Sequence, residues 1–242
     1  MRITRIYYSG NLSAGTTLRL DKSASHHLVR VLRMKPGASI IVFNNTAYEY
    51  ECELLDDNQS ATSIRVNAQQ ECHTESCLRI HLLQGVSRGD RMDISIQKAT
   101  ELGVDMITPV ICNRTNISFD VQRSKKKREH WQQVIISACE QSGRSQLAKL
   151  PAITAFEQAL QASPQQLKLV LDPTASTSLR SLQPDNTIAL LIGPEGGLTE
   201  SEIEQAKQAG FIGVSLGPRV LRTETAGIAA ISALQVLWGD AG

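Results

Sequence analysis

The chain of 242 residues is predicted to fold as an α/β protein with a mostly parallel sheet, preceded by a small β-barrel domain. Roughly the first 70 residues contain short alternating or β-branched segments, which are typical of strands and hairpins. After residue 77, strand-like segments alternate with helix-like ones, as in a parallel sheet covered by helices. Residues 67–76 are polar and are predicted to form the linker.

The N-terminal domain, residues 1–72, is predicted from three strands and one helix. The strands are residues 39–45, 47–55 and 61–69, which are separated by Asn, Asp and Ser. Leu28, Val31 and Leu32 recur at helical spacing before Pro36 and Gly37, so we expect one short helix that ends there. A small barrel carrying one basic helix accounts for these segments.

The C-terminal domain, residues 73–242, is predicted to contain five strands and four helices. The strands are expected at 78–86, 106–112, 167–172, 187–193 and 211–216. The helices are expected near 90–103, 123–141, 199–209 and 223–238. The second helix is the best defined, because Trp131, Val134, Ile135 and Ala138 form one apolar stripe at helical spacing.

Composition indicates an ordinary globular protein, with 41% hydrophobic and 20% charged residues. No apolar run approaches the roughly 18 residues of a spanning helix, and the N-terminus lacks a secretory signal. Five scattered cysteines fit a reducing compartment, so we expect a cytoplasmic protein. The group Cys72, His73, Cys77 and His81 matches no zinc spacing, and we expect no metal site.

Charge is segregated along the chain, although the net charge is only +1. Residues 1–35 contain seven basic side chains against one acidic, and residues 114–149 contain eight against three. Residues 36–76 are acidic. Two basic segments favour an RNA or DNA partner. The run RSKKKRE taken alone is more typical of a solvated surface.

The stretch LLIGPEGGLTESEIEQA is predicted to be a buried strand, a glycine turn and a helix. Thr199 and Glu202 have the spacing of a capping box. The turn therefore lies at the C-terminal end of a strand, where open α/β sheets bind ligands. Because it lacks a Walker lysine and contains Glu195, it suits S-adenosylmethionine better than a phosphate group. The alternative is a tight turn with a solvated glutamate.

The stretch VSLGPRVLRTETAGIAAISALQVLWG predicts another strand, an irregular loop and a helix. From Ala226 to Trp238 the helix is apolar on nearly every side, which indicates burial by more than one neighbour. A subunit interface is one candidate neighbour. The loop places Arg219, Arg222 and Glu224 beside a buried helix start, which is costly unless these charges are paired or functional.

Five motifs in this order resemble those of the RsmE family, the 16S rRNA (uracil-N3)-methyltransferases of the SPOUT class. They are VLRMKPG, QKATELGV, ACEQSGR, LLIGPEGG and LGPRVLRTETA. The resemblance covers essentially the whole chain. It implies a PUA-like RNA-binding barrel, a SPOUT-type sheet with a C-terminal trefoil knot, a homodimer, and S-adenosylmethionine as cofactor. It also implies methylation at N3 of a uridine, uridine 1498, in 16S rRNA of the small ribosomal subunit.

The resemblance assigns the cofactor to three loops: the end of LVLD, the GPEGG turn, and the segment before the last helix. The residues so assigned are Leu171, Ile192, Gly193, Glu195, Gly196, Gly197, Leu216, Gly217, Leu221, Arg222, Thr225 and Ala226. We expect Arg222 to be catalytic, by stabilising negative charge on the base, with an ion pair to Glu224 or to the partner subunit as its structural alternative. The residues expected to contact RNA phosphates are Arg2, Arg5, Arg30, Arg33, Arg114 and Arg144.

Two other classes of protein stay open at this stage. A nucleotide-dependent enzyme would use GPEGG as a phosphate loop, which Glu195 and the missing lysine disfavour. A non-catalytic RNA-binding or ribosome-assembly protein would explain the basic segments. It would not explain two strand-end turns beside a buried helix.

Overall fold

The computed structural model describes residues 3–115 and 120–242, which form two compact units. The first unit takes the chain up to Glu75 together with Cys139–Leu147. The second contains Ser76–Ala138 and Ala148–Gly242. The strand and helix pattern predicted two contiguous domains, residues 1–72 and 73–242, and so did not assign residues 139–147 to the first unit.

The first unit contains one mixed five-stranded sheet in the order β1-β3-β4-β5-β2. Strands β1 and β3 are parallel, and the other pairs are antiparallel. The strands are β1 (Thr4–Tyr7), β2 (Thr17–Arg19), β3 (Ser39–Phe43), β4 (Tyr48–Leu54) and β5 (Ser63–Glu71). The three predicted strands of this region are therefore confirmed as β3, β4 and β5.

Alternation along β4 and β5 fixes which face of this sheet is buried. Tyr50, Cys52 and Leu54 point to the same side as Ile64 and Val66, and all five are buried in one core. The predicted linker is wrong for residues 67–71, because β5 continues through them and pairs with β4. Residues 67–71 are exposed, so no hydrophobic alternation marked them as a strand.

The predicted helix is shorter than expected, and its geometry differs. Helix α1 (Lys22–His26) continues as a π-helical turn, His27–Val31, closed by the bond from Leu32 N–H to His27 C=O at 2.9 Å. The wider π turn removes Val31 and Leu32 from the face of Leu28. Leu28 is buried, whereas Val31 is 57% exposed, so the predicted three-residue stripe is wrong.

The second unit contains a six-stranded sheet in which every pair is parallel, in the order β11-β9-β10-β6-β7-β8. Its strands are β6 (Arg79–Gly85), β7 (Met106–Ile111), β8 (Thr154–Ala155), β9 (Leu167–Leu171), β10 (Thr187–Ile192) and β11 (Ile212–Val214). Its helices are α2 (Asp90–Glu101), α3 (Val121–Ser142), α4 (Phe156–Gln161), α5 (Glu200–Gln208) and α6 (Thr223–Trp238); α3 ends within the residues of the first unit. The predicted parallel α/β architecture is confirmed.

The continuous apolar run of β10 is explained by its position between β9 and β6. Residues Ile188–Ile192 are all buried, as expected of a strand covered on both faces. Strand β8 and helix α4 were not predicted, since two and six residues are too few to show a period. Because β9, β10 and β11 are adjacent and parallel, their carboxyl ends meet at one edge of the sheet.

Helix α6 is buried on one side only within the single chain. Thr223, Gly227, Ile231 and Leu234 are buried, whereas Val236 is 59% exposed. Part of the apolar surface that the sequence predicted to need a second neighbour is therefore open. None of the helices in the described ranges combines the length and the hydropathy needed to cross a bilayer.

Candidate functional site

A cavity of about 330 Å³ lies at the carboxyl ends of β9, β10 and β11. The GPEGG turn, the segment after β11 and the first turn of α6 form much of its wall. The lining residues are Arg114, Leu171, Asp172, Pro173, Ile192, Gly193, Pro194, Glu195, Gly196, Gly197, Leu198, Ile203, Val214, Ser215, Leu216, Gly217, Arg219, Val220, Leu221, Thr223 and Ala226. Ten of the twelve residues predicted to bind the cofactor are among them.

The GPEGG segment forms a tight turn for steric reasons. Gly197 N–H donates to Pro194 C=O at 2.8 Å, and Gly197 has a φ of 70°, where glycine is favoured. Strand β6, which pairs with β10, also approaches the turn closely, because a Cβ on Gly85 would lie 2.4 Å from Pro194 N. The backbone of the turn therefore packs directly against the end of β6.

A buried hydrogen-bond chain connects β6, β10 and the start of α6. Gln84 Nε2 donates to Thr223 Oγ1 at 3.1 Å, and Thr223 Oγ1 donates to Gly193 C=O at 2.6 Å. Gln84 is fully buried at the end of β6. This chain fixes the first residue of the turn relative to α6, so it determines the shape of the cavity wall.

Glu195 lies at the cavity with its carboxylate held by two donors. Its Oε1 accepts from Arg88 N–H at 2.7 Å and from Arg91 Nη1 at 3.2 Å. Partial burial acts to raise the pKa of Glu195, but these hydrogen bonds outweigh it and lower the pKa below its ordinary value. The turn therefore carries a negative charge with a nearby arginine.

Helix α5 begins at the predicted capping box, which is confirmed. Thr199 N–H donates to Glu202 Oε2 at 2.8 Å, and Glu202 N–H donates to Thr199 Oγ1 at 3.2 Å. The other oxygen, Glu202 Oε1, accepts from Asn113 N–H at 2.7 Å. The cap therefore also attaches the segment after β7 to the helix that follows the turn.

Arg114 lies in the cavity wall. Its Nη1 donates to Gly196 C=O at 2.8 Å and, at 3.4 Å, to Leu198 C=O. The structure thus gives this guanidinium two backbone acceptors of the glycine turn in place of the predicted RNA phosphate. The only sequence signal that Arg114 lies near the cavity was its position just after strand β7.

Asp172 is a cavity residue that sequence reasoning missed. It is 3% exposed at the end of β9, and its Oδ1 accepts from Thr174 N–H at 2.9 Å and Thr174 Oγ1 at 2.7 Å. Lys207 Nζ lies 3.9 Å from Oδ2. The aspartate that ends the apolar run LVLD was the signal that could have identified it.

Two predicted residues, Arg222 and Thr225, do not line the cavity. Arg222 is the exposed N-cap residue of α6, between the lining residues Leu221 and Thr223. Its side chain has no hydrogen-bond or ion-pair partner among the described residues, so the alternative ion pair with Glu224 is not formed. Arg219, which the sequence marked as paired or functional but did not assign to the cofactor, does line the cavity.

The arginines predicted to contact RNA have different environments. Arg30 and Arg33 are exposed, and Arg2 lies outside the described residues. Arg5 and Arg144, which were also predicted to contact RNA, have little exposed side-chain surface and are paired with carboxylates of the first unit. Arg5 is ion-paired with Glu49, and Arg144, with its side chain 4% exposed, contacts Glu75 at 2.7 Å. Arg30 and Arg33 are therefore more accessible to a phosphate than Arg5 and Arg144.

The group Cys72, His73, Cys77 and His81 does not form a metal centre in the described structure. Cys77 is exposed, whereas His81 is buried in β6 with its Nε2 2.8 Å from Thr108 Oγ1. Within residues 3–115 and 120–242, no three His, Cys, Asp or Glu side chains are grouped so that they could hold an ion.

Comparison with known proteins identifies the family. An RNA methyltransferase domain model matches residues 74–235, and an RNA methyltransferase PUA domain model matches residues 20–64. The ribosomal RNA small subunit methyltransferase E of Buchnera aphidicola (Schizaphis graminum) is 41% identical over 99% of this chain and 98% of its own. This chain belongs to the ribosomal RNA small subunit methyltransferase E family.

Solved structures of this family share the fold. The ribosomal RNA small subunit methyltransferase E of Neisseria gonorrhoeae, solved with S-adenosyl methionine, is 38% identical with a TM-score of 0.92 over 99% of each chain. A Legionella pneumophila protein solved with its bound cofactor SAM is 40% identical, with a TM-score of 0.96 over 99% of this chain and 100% of its own. The predicted family is thereby confirmed.

Proposed function

We propose that this chain is an S-adenosylmethionine-dependent methyltransferase that modifies N3 of a uridine, uridine 1498, in 16S rRNA of the small ribosomal subunit. The observation that carries the proposal is the convergence of the GPEGG turn and the LGPRVLRTETA segment on one cavity. These are two of the sequence motifs that resemble the family. The solved relatives that bind this cofactor share the fold over nearly the whole chain.

The residues of the cavity fit S-adenosylmethionine. The cavity volume of about 330 Å³ is within the usual range for small-molecule sites. Leu171, Ile192 and Leu216 offer apolar surface to an adenine, and the anionic Glu195 favours a positively charged ligand over a phosphate. When bound, the cofactor supplies an electrophilic methyl group on a sulfonium ion. The residues proposed to hold it are Leu171, Ile192, Gly193, Glu195, Gly196, Gly197, Leu216, Gly217, Leu221 and Ala226.

Arg222 is proposed to stabilise the reacting base. As N3 forms its bond to carbon it must lose its proton, and negative charge develops on the base and its carbonyl oxygens. A guanidinium that has no partner among the described residues and lies next to cavity residues is available to interact with that charge. The proton leaves to water, since no histidine, lysine or cysteine lines the described cavity and its two carboxylates, Asp172 and Glu195, already accept hydrogen bonds from the chain.

Binding of the RNA is proposed to begin at the first unit, which contains the residues matched by the PUA model. Arg30 and Arg33 are exposed around the π-helical turn and are suited to phosphate contacts. Such contacts position an RNA without reading its bases. The target uridine must then leave its local stack to reach the cavity.

The remaining features follow the family resemblance. We propose a PUA-like barrel over residues 1–72, a SPOUT domain over 73–242 with a C-terminal trefoil knot, a homodimer, and action in the cytoplasm. The exposed apolar side chains of α6, Val236 and Leu237, support a subunit contact at this helix. All five cysteines are free thiols, which suits a reducing compartment.

Calorimetry of the purified chain with S-adenosylmethionine and with ATP tests the cofactor. Heat of binding from S-adenosylmethionine alone supports the methyltransferase, and heat from ATP alone supports a nucleotide enzyme. Heat from neither supports a non-catalytic RNA-binding protein. Mass mapping of 16S rRNA from cells lacking the protein tests the target base. We expect one uridine to be lighter by about 14 mass units, because a hydrogen stands in place of the methyl group. Complementation with the gene should restore the mass.

A further inference from the structure

A second groove of about 530 Å³ lies on the second unit, away from the cofactor cavity. One wall is the first half of α3, and the other is the segment before β8. The lining residues are Val121, Ser124, Lys125, Arg128, Glu129, Gln132, Gln133, Ala152 and Ile153. None of them lines the first cavity, so the groove is a separate surface.

The helical wall of this groove is one face of α3. Ser124, Lys125, Arg128 and Gln132 follow the i, i+3, i+4 spacing that places side chains on a common side. Of the basic run from Arg123 to Arg128, only Lys125 and Arg128 line the groove. Lys126 and Lys127 belong to the same run but do not line it.

Both groove cations are available for a ligand. Lys125 and Arg128 are exposed, and neither has a hydrogen-bond or ion-pair partner among the residues that the structure describes. Arg123, in contrast, is paired with Asp120 at 3.3 Å. Glu129 is the only carboxylate among the lining residues, so the two cations exceed the local negative charge.

The other lining groups suit a polar chain. Gln132, Gln133 and Ser124 offer neutral donors and acceptors, and among the described lining residues only Val121, Ala152 and Ile153 are apolar. A lipid surface or an apolar peptide would need a wider apolar area. A phosphodiester backbone presents repeated anionic oxygens together with hydroxyl groups, which matches two cations beside amides and a hydroxyl.

We propose that this groove binds the sugar-phosphate backbone of the RNA substrate. The proposal rests on the proposed function and extends the RNA contacts beyond the exposed arginines of the first unit. Lys125 and Arg128 lie one helical turn apart, which allows them to contact neighbouring phosphates of one strand. The groove would thus position the RNA without contacting the reacting base.

The test compares two variants with the same loss of charge on the same helix. Lys125→Gln/Arg128→Gln removes the groove cations, and Lys126→Gln/Lys127→Gln removes two neighbours that do not line the groove. Binding of each full-length protein to a 16S rRNA transcript is measured from low to moderate salt. Loss of two phosphate contacts should reduce the slope of log K against log salt by about 1.4 to 1.8. We expect this in the groove variant and a change below about 0.5 in the control.

Each outcome decides between explanations. Equal slopes in the two variants would show that α3 attracts RNA only through its summed charge, and the proposal would be wrong. It would also be wrong if the groove variant bound the transcript normally but lost activity on assembled small subunits, which would indicate an acidic protein partner. If the wild-type chain binds S-adenosylmethionine and methylates RNA, and the groove variant has the same salt slope of RNA binding as wild type, only the groove proposal is refuted. Absence of RNA binding by the wild-type chain refutes both proposals.

Discussion

Thr223 Oγ1 donates a hydrogen bond of 2.6 Å to the carbonyl of Gly193 and accepts one from Gln84 Nε2. The first residue of the glycine turn is thereby attached to the first residue of α6. Both residues line the cavity. The hydroxyl connects two chain segments 30 residues apart, so its removal should affect the cofactor site more than the fold.

We therefore expect Thr223→Val to weaken S-adenosylmethionine binding. Valine keeps the shape but leaves Gly193 C=O and Gln84 Nε2 without this partner, which costs about 1 to 3 kcal/mol. Calorimetry should show a Kd raised roughly 5- to 140-fold, at tenfold per 1.4 kcal/mol. Thr223→Ser keeps the hydroxyl and should bind within about threefold of wild type. Equal weakening by both variants would show that side-chain volume, and not the hydrogen bond, is important.

Gly85→Ala should disrupt the cofactor site by displacing the turn. Its Cβ would lie 2.4 Å from Pro194 N and 2.7 Å from Gly193 C, both backbone atoms, so the end of the strand or the turn must shift. We expect a destabilisation of about 1 to 3 kcal/mol in urea unfolding and no measurable cofactor binding. Gly213→Ala is the matched control on β11, where the nearest contact is 3.5 Å. Wild-type stability and affinity for Gly85→Ala would contradict the close approach.

Arg222→Ala should reduce methyl transfer while leaving the cofactor affinity nearly unchanged, because this side chain does not line the cavity. Removing one stabilising donor of this kind lowers kcat by roughly 100- to 1000-fold. Arg219→Ala is the comparison, since Arg219 does line the cavity and should mainly raise the KM for the cofactor. Normal turnover of Arg222→Ala with slow turnover of Arg219→Ala would exchange the two assignments.

Arg114→Ala should act on the cofactor and not on RNA. Loss of the bonds to Gly196 C=O and Leu198 C=O frees the carbonyl side of the turn. Hydrogen bonds to a charged group contribute about 1.5 to 3 kcal/mol, so we expect the Kd for S-adenosylmethionine to rise at least severalfold. The salt dependence of RNA binding should stay as in wild type. A smaller salt slope than that of wild type would instead support the predicted contact between Arg114 and an RNA phosphate.

His81 should make stability depend on pH in mildly acidic solution. Burial lowers its pKa from 6.5 to about 4, so the unfolded chain binds the proton more readily between these values. Stability is therefore lost as pH falls from 6.5 towards 4, by roughly 1 kcal/mol per pH unit. Urea unfolding at pH 7 and pH 5 should show a smaller loss for His81→Leu than for wild type. Equal losses would assign the dependence to other groups.

Local signals in the sequence were sufficient for much of the fold. The apolar run of β10, the capping box at Thr199 and the alternation in β4 each act over a few residues, and each was predicted correctly. The segments that were missed have weak or misleading periods. Residues 67–71 pair as a strand with neither face buried, and the π turn at His27–Val31 breaks the helical spacing.

For the candidate site too, predictions that rest on local signals succeeded and those that depend on distant contacts did not. Glycine turns and strand ends identified the GPEGG and LGPRVLRTETA segments, because tight turns and caps are local properties. The roles of single arginines were less accessible. Arg5 and Arg144 resemble Arg30 and Arg33 in sequence, yet the first two are buried in ion pairs and the others are exposed. Partners such as Glu49 and Glu75 lie 44 and 69 residues away.

By itself the sequence determined most of the strands and helices along the chain, the two basic segments and the two loops that line the cavity. Hydrophobic period, turn residues and charge are written in neighbouring residues, so they can be read without coordinates. Only the tertiary structure decided which strand ends are adjacent, which places Asp172 and Arg114 in the cavity and leaves Arg222 beside it. Strand order and charge pairing arise from contacts between residues far apart in the chain, and no local pattern encodes them.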